Sequence, residues 1–478
     1  MTQTIPAETL STRDRSVIAT LLVAAFTVIL NETTLNVALT PIMDDLRVGE
    51  RTAQWLTTAF MLTMAVVIPV TGWLLQRFRT RTVFVLAMTL FSAGTLVCAL
   101  APGFAIVLAG RVVQASGTAI MMPLLMTTVM QLVPADRRGS VMGTISLVIS
   151  VAPAMGPTLA GLVLRFTSWR GIFWLVLPIA LVVLAIGGTR IANVNEPGDA
   201  PMDPVSVLLS ALGFGGLVYA LSLIGGDSNP GVVCGVVVAG AACLALFVWR
   251  QLRLARAERA LLDLSAFGIL AFRIATIVMA IAMMALFGTI IMLPLVLQRA
   301  LGMEPLTVGL LMLPGGLAMG LLGPVVGRLY DRVGPRPLVI PASVVVGVVF
   351  FLLGTLGSTT PWWFVMVCHV AMSAAFACLF TPMFTISMGS LPPHLYSHGS
   401  AIVGTVQQLA GAIGTAVFVT LFSTITARTA SGGATEAESL LTGARWAFRA
   451  TDALWLGVIG LTFVVRAPAH ATRAPAHH

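Results

Sequence analysis

The chain has 478 residues, 58% of them hydrophobic and only 9% charged, where a soluble domain carries roughly a quarter charged residues. A composition this apolar leaves too little polar surface to face water, which excludes a soluble enzyme or binding module. The net charge of +9 comes from arginine alone, with no lysine; the arginines stand in twos and threes between apolar blocks, the pattern of topology signals and not of a nucleic-acid surface.

The polar start, MTQTIPAETLSTRDRS, runs into an apolar block with no cleavage site after it, so that block is predicted to be a retained span and not a signal peptide. A bilayer core takes about 20 apolar residues per helix. Runs of this kind, ended by charge, Pro or Gly, fall at 16–39, 53–75, 82–100, 104–131, 140–164, 171–189, 204–224, 231–250, 272–297, 306–327, 338–356, 361–388, 399–426 and 452–466, which gives fourteen predicted spans, the last one short. The linker between spans 6 and 7, NVNEPGDAPMDP, is short and acidic. The segment after span 13, ASGGATEAESLLTGARWAFRA, is expected to be an outer loop holding a small helix, and the tail RAPAHATRAPAHH to be disordered. Cys98, Cys234, Cys243, Cys368 and Cys378 all lie in apolar blocks and read as packing residues.

With the amino terminus inside, eighteen arginines fall in cytoplasmic segments and eight in outer ones. The bias favours both termini in the cytoplasm and hence an even number of spans. The expected architecture is an all-α polytopic membrane protein: a six-helix bundle over 1–190, a linker with two extra spans over 191–263, a second six-helix bundle over 264–466, and the tail 467–478.

An internal repeat supports the two bundles. PVTGWLLQRFRTR at 69–81 matches PVVGRLYDRVGPR at 324–336 at six positions, including Gly72/Gly327, Arg77/Arg332 and Arg81/Arg336. Each copy leaves a span and enters a short basic loop. Two related bundles that rock about a midplane site are the plan of many transporters; a channel, a receptor or a membrane enzyme does not need this symmetry.

Of the eighteen acids, seventeen fall in termini, loops or span edges, and Glu32 alone sits well inside a predicted span. A buried ionisable residue in a membrane costs at least a few kcal/mol, so it marks function by default. Arg111 is the comparably buried cation. Glu32 lies seven residues before the outer end of span 1, and Arg111 seven residues after the outer start of span 4, which at 1.5 Å per residue puts both about 10 Å below the outer surface. Glu32 is expected to carry a proton, or else to form a static pair with Arg111. His369 in span 12 lies near a similar depth and is a core residue or a proton relay. Asn31, Asn36, Gln407 and Gln408 either bond substrate or bridge helices; Trp55, Met122 and Phe380 either line a cavity or pack.

These stretches carry a resemblance. GRLYDRVGPR (327–336) is similar to the G-x-L-x-D-R-x-G-x-R loop of the major facilitator superfamily; the first-half copy departs from it, with Gln76 in place of the acid and Arg79 in place of the second glycine. LAGRVVQASGTA (108–119) is similar to the superfamily's span-4 motif, and SLVISVAPAMGPTLAG (146–161) to its span-5 antiporter motif. AQWLTTAFML (53–62), SWRGIFWLVLPIA (168–180), QQLAGAIGTA (407–416) and LNETTLNVAL (30–39) are similar to the fourteen-span drug:proton antiporter branch, with Asn31 at the usual acid position and Glu32 one place later.

The resemblance implies a major facilitator fold of two six-helix bundles plus two extra helices. It implies proton-coupled export of hydrophobic or lipophilic-cationic compounds by alternating access, in the manner of multidrug efflux and antibiotic resistance. Glu32 and Arg111 would couple the proton, and Gln114, which fits the span-4 motif, would face the substrate cavity. Pro153, Gly156, Pro157 and Gly161 would bend and seal span 5. Gly72, Arg77, Gly327, Asp331, Arg332, Gly334 and Arg336 would form a cytoplasmic gate, with Asp331 and Arg332 as its charge relay. A lipid or lysolipid translocase and a metabolite symporter are the alternatives on the same fold. There is no metal cluster and no Walker-type loop, so neither enzyme chemistry nor a cofactor is expected beyond the proton motive force. The expected partners are the substrate, protons and the lipid bilayer. The expected form is a monomer in a bacterial cytoplasmic (inner) membrane.

Overall fold

The computed structural model describes residues 11–195, 197–198, 201–223, 229–256 and 259–465, without the side chains of Asn36, Glu50, Arg51, Ala154, Pro157, Pro230, Pro305 and Leu306. The predicted tail therefore lies outside the described residues, as do the side chains of Asn36 and Pro157.

Helices account for the chain in the order α1 (Thr12–Leu46), α2 (Glu50–Arg77), α3 (Thr80–Leu100), α4 (Phe104–Leu132), α5 (Arg138–Phe166), α6 (Arg170–Arg190), α7 (Pro204–Leu223), α8 (Pro230–Ala255), α9 (Leu270–Arg299), α10 (Pro305–Val333), α11 (Arg336–Leu353), α12 (Trp362–Gly389), α13 (Tyr396–Ser431) and α14 (Glu436–Val464). Among the described residues thirteen are long and apolar enough to cross a membrane, and α5, bent by 40° between Pro153 and Thr158, makes a fourteenth when counted as one span. Each helix bonds its own backbone, which is what a lipid solvent demands. Large apolar side chains such as Leu162, Val182, Leu321, Val348 and Leu456 face outward, where a bilayer takes the place of water.

α1–α6 pack on one another, as do α9–α14. α7 and α8 lie between them in sequence; α7 leans on α2 and α13, and α8 packs on α7. α8 has only 11% of its apolar window buried, against 61% for α1 and α12, so it is almost entirely lipid-facing, and its Cys234 is exposed rather than packed. α7 contains one π turn, Ala211–Gly215, where Gly213 and Gly216 let its backbone approach Leu244 and Gly240 of α8. Asp203, just before α7, accepts from Arg250 Nε at 2.7 Å and Nη2 at 3.0 Å, and Ser206 and Gln251 continue that contact to the amide of Leu262. Arg250, then Ser206, hold the Asp203 carboxyl down at about 2.

The last helix corrects the sequence reading. α14 begins at Glu436 and not near 452, so the expected outer loop is its first half. Thr435 and Glu438 form a capping box there. Leu440, Leu441, Ala444, Ala447 and Phe448 are buried, while Arg445 and Arg449 donate to the carbonyls of Leu356 and Gly354 beyond α11. The arginines that interrupted the apolar run are thus spent on the loop next door. The same shift puts Asp452, expected at a span edge, inside α14 beside Gly347.

Candidate functional site

Glu32 sits on α1 between Asn31 and Thr33 and is partly accessible. Arg111 on α4 is 1% exposed. The two charges interact electrostatically, but no direct ion pair or hydrogen bond joins them. Arg111 is held by other groups: its Nη1 donates to Gln114 Oε1 at 2.7 Å, and its guanidinium lies 4.0 Å from the centroid of the Phe60 ring on α2. Gln114 Nε2 donates to Thr95 Oγ1 at 2.8 Å, and Thr95 donates to the Phe91 carbonyl. A cation is thus fixed in the first bundle by residues of α2, α3 and α4, while among the described residues no side chain bonds directly to the acid on α1. Arg111 Nε and both amide atoms of Asn31 are buried without a protein partner. Buried polar groups are normally satisfied, so this unspent capacity near the acid singles the region out as the candidate site.

α5 closes on α1 at the same level. A Cβ at Gly156 would overlap the Thr33 side chain, so glycine there lets α5 lie against the turn that carries Glu32. Pro153 is half-buried just before the bend, and Gly161 is half-buried with open space beside it.

The gate residues gather at the basic-loop end. Asp331 accepts from the Gly139 amide at 2.9 Å and the Ser140 amide at 2.7 Å. A carboxylate from the second bundle thereby caps the start of α5 in the first; the implied relay to Arg332 is not what binds it, and Arg332 is exposed. Beside this cap, α5 and α10 touch backbone to backbone, since a Cβ at Gly139, Gly143, Gly323 or Gly327 would strike the facing chain. Gly334 turns the chain at φ 77°, and Arg336 donates to the Val465 and Phe463 carbonyls. In the first-half copy, where the acid is missing, Gln76 Nε2 lies 2.8 Å from His398 Nε2, and Gly72 abuts the same imidazole. Arg77 donates to the Gly198 carbonyl. Thr127–Ser400, Arg138–Tyr396 and Ser146–Thr381 complete the seal. Among the described residues, the side-chain hydrogen bonds between the two bundles all lie at this end.

The remaining predicted residues do not converge. Trp55 is 38% exposed and lies 5.8 Å from Tyr219 of α7. Met122 packs on the apolar core, and Phe380 is buried 5.6 Å from Phe376. Gln407 and Gln408 are half-buried on α13, the former with its amide nitrogen unpartnered. His369 is buried in the second bundle, in a notch at Gly315. Sequence reasoning missed Phe60 and Thr95, ordinary residue types with no signal of their own. It also missed the α5–α10 seam, for which a signal existed: G-x-x-x-G occurs at both 139–143 and 323–327.

The sequence pattern described as Major Facilitator Superfamily matches residues 21–415. The lincomycin resistance protein LmrB of Listeria monocytogenes is 41% identical over 409 residues, covering 85% of this chain and 86% of its own. The multidrug export protein EmrB of Haemophilus influenzae is 28% identical over 402 residues, covering 82% and 78%. Among solved structures, the proton:xylose symporter XylE superposes with a TM-score of 0.67 at 14% identity, over 96% of this chain and 97% of its own.

Proposed function

The chain belongs to the major facilitator superfamily and is a multi-pass membrane transporter of small molecules, and from that premise we propose that it is a proton-coupled antiporter exporting hydrophobic or lipophilic-cationic compounds. The basic-loop end faces the cytoplasm of a bacterial inner membrane, by the excess of arginine there. The observation that carries the proposal is Glu32, an unbonded acid within electrostatic reach of a buried, fixed Arg111, in a molecule whose two bundles are joined at the opposite end from it. With the cytoplasmic end sealed, the partly accessible Glu32 takes a proton from outside. Rocking of the bundles breaks the seal and opens the site inward, and the proton leaves to the cytoplasmic side. Drug binding from the inside then completes the exchange, with no cofactor beyond the proton motive force and a single chain as the working unit. The names of the drug-resistance relatives support export over a nutrient symporter or a lipid translocase.

The test is flux in proteoliposomes under an imposed proton gradient, with lincomycin and a lipophilic cationic dye as probes. Wild type moves the probe against the proton flow, and Glu32→Gln falls to the level of empty liposomes while folding normally. Movement with the proton flow would establish symport instead, and equal transport by the Glu32→Gln protein would place coupling elsewhere.

A further inference from the structure

The internal repeat brings a second titratable group into register with the site just described. The matched loops set an offset of 255 residues between α2 and α10, from Pro69 to Pro324. α4 and α12 begin 258 residues apart, at Phe104 and Trp362. At that offset their buried faces coincide: Val107, Arg111 and Gln114 fall on Val365, His369 and Met372, all of them buried. The contact is repeated as well. Arg111 lies over Phe60 of α2. Moved by 255, Phe60 becomes Gly315 of α10, and a Cβ at Gly315 would stand 2.6 Å from His369 Nε2. The same two positions on the same two helices therefore meet in each bundle, as guanidinium on phenyl in one and as imidazole in a glycine notch in the other. Glu32 moved by 258 becomes Ile290, so the second bundle carries the basic member without the acid.

We propose that His369 is a second proton-binding residue of the transport cycle, the second bundle's counterpart of Arg111. The inference rests on the reading of the chain as a proton-driven transporter. His369 is 6% exposed, and its Nδ1 has no protein partner. The ring also faces the Met312 carbonyl on α10, and Ser373 Oγ lies at the same notch. Among the described residues, no charged group acts on the imidazole from α5, α9, α10, α11 or α13, the helices packed around α12. Imidazole is the side chain whose charge changes near neutral pH. Arg111 holds a permanent positive charge in the first bundle; a proton taken at Nδ1 places a transient one at the equivalent point of the second, and its loss restores the neutral ring.

The test reads His369 directly, whatever is transported. The full chain, with its six histidines labelled with nitrogen-15, is placed in lipid nanodiscs and titrated by NMR from about pH 5 to about pH 8. His369→Gln identifies the resonance. The expected result is a ring that gains a proton within that window, in wild type and in Glu32→Gln alike. A single neutral tautomer throughout would overturn the proposal. In proteoliposomes, reversal-potential measurements with lincomycin should show fewer protons moved per drug in His369→Gln than in wild type, and an unchanged ratio would equally overturn it. If Glu32→Gln still couples while His369 titrates, the role given to Glu32 fails and that of His369 stands.

Discussion

Arg111 keeps its place through Gln114, a residue one turn along its own helix, and Gln114 in turn reaches Thr95 on α3. Loss of one link strands the next, because a buried donor or acceptor left without a partner costs about 1–3 kcal/mol. Gln114→Leu should therefore lower the melting temperature more than Thr95→Val, which removes only the outer link. Gln114→Leu should also alter the pH profile of transport, since Arg111 then has only the ring of Phe60 to hold it. Equal melting shifts with an unchanged pH profile would show that the chain of bonds does not position the guanidinium. Sequence alone singled out Glu32 and Arg111 because a charge in an apolar run is conspicuous. Phe60 and Thr95 stayed hidden because a phenylalanine or threonine in a span acquires a role only from the helix that packs on it.

At the scale of helices, apolar length and bounding charge were enough to find fourteen spans. They misplaced the start of α14, whose first half carries Arg445 and Arg449. Those side chains reach carbonyls of the turn after the neighbouring helix α11, a tertiary solution that no window of hydropathy records. The extra helices α7 and α8 are tied at their basic end by Asp203 and Arg250, with side-chain exposures of 16% and 33%. The Asp203 carboxyl sits at about 2, below the roughly 3.9 of a free aspartate. A depressed acid stabilises the fold above its free value, and that stabilisation is lost as pH falls towards the folded one. Asp203→Asn should thus cost about 1 kcal/mol near neutral pH, after allowing for solvent screening. The gap in melting temperature to wild type should close as the buffer is taken from about pH 5 down to about pH 2. A gap that stays constant with pH would mean that packing, and not the charge pair, joins α7 to α8.

For the whole molecule, the repeat visible at 69–81 and 324–336 foretold two related bundles, but not which end would hold them together. That depends on which small residues face each other, and the two G-x-x-x-G stretches meet only once α5 and α10 are brought side by side. The seal consists of that seam, the Asp331 cap, the Gln76–His398 and Arg138–Tyr396 contacts and the hydroxyl pairs Thr127–Ser400 and Ser146–Thr381; an interhelical side-chain hydrogen bond in a membrane is worth about 1 kcal/mol. A lock of this strength can be broken at each turn of a cycle. Alternating access requires that it break. Ser146 on α5 and Thr381 on α12 meet across the seal at 2.9 Å between hydroxyl oxygens, close enough for a disulfide bridge to replace the hydrogen bond. In a background with the five native cysteines changed to serine, Ser146→Cys with Thr381→Cys should cross-link under mild oxidation and stop transport. Reduction with dithiothreitol should restore it, and neither single variant should respond to oxidant. Full transport by the cross-linked protein would mean that the basic end never separates and that substrate leaves by a route other than the one between the bundles.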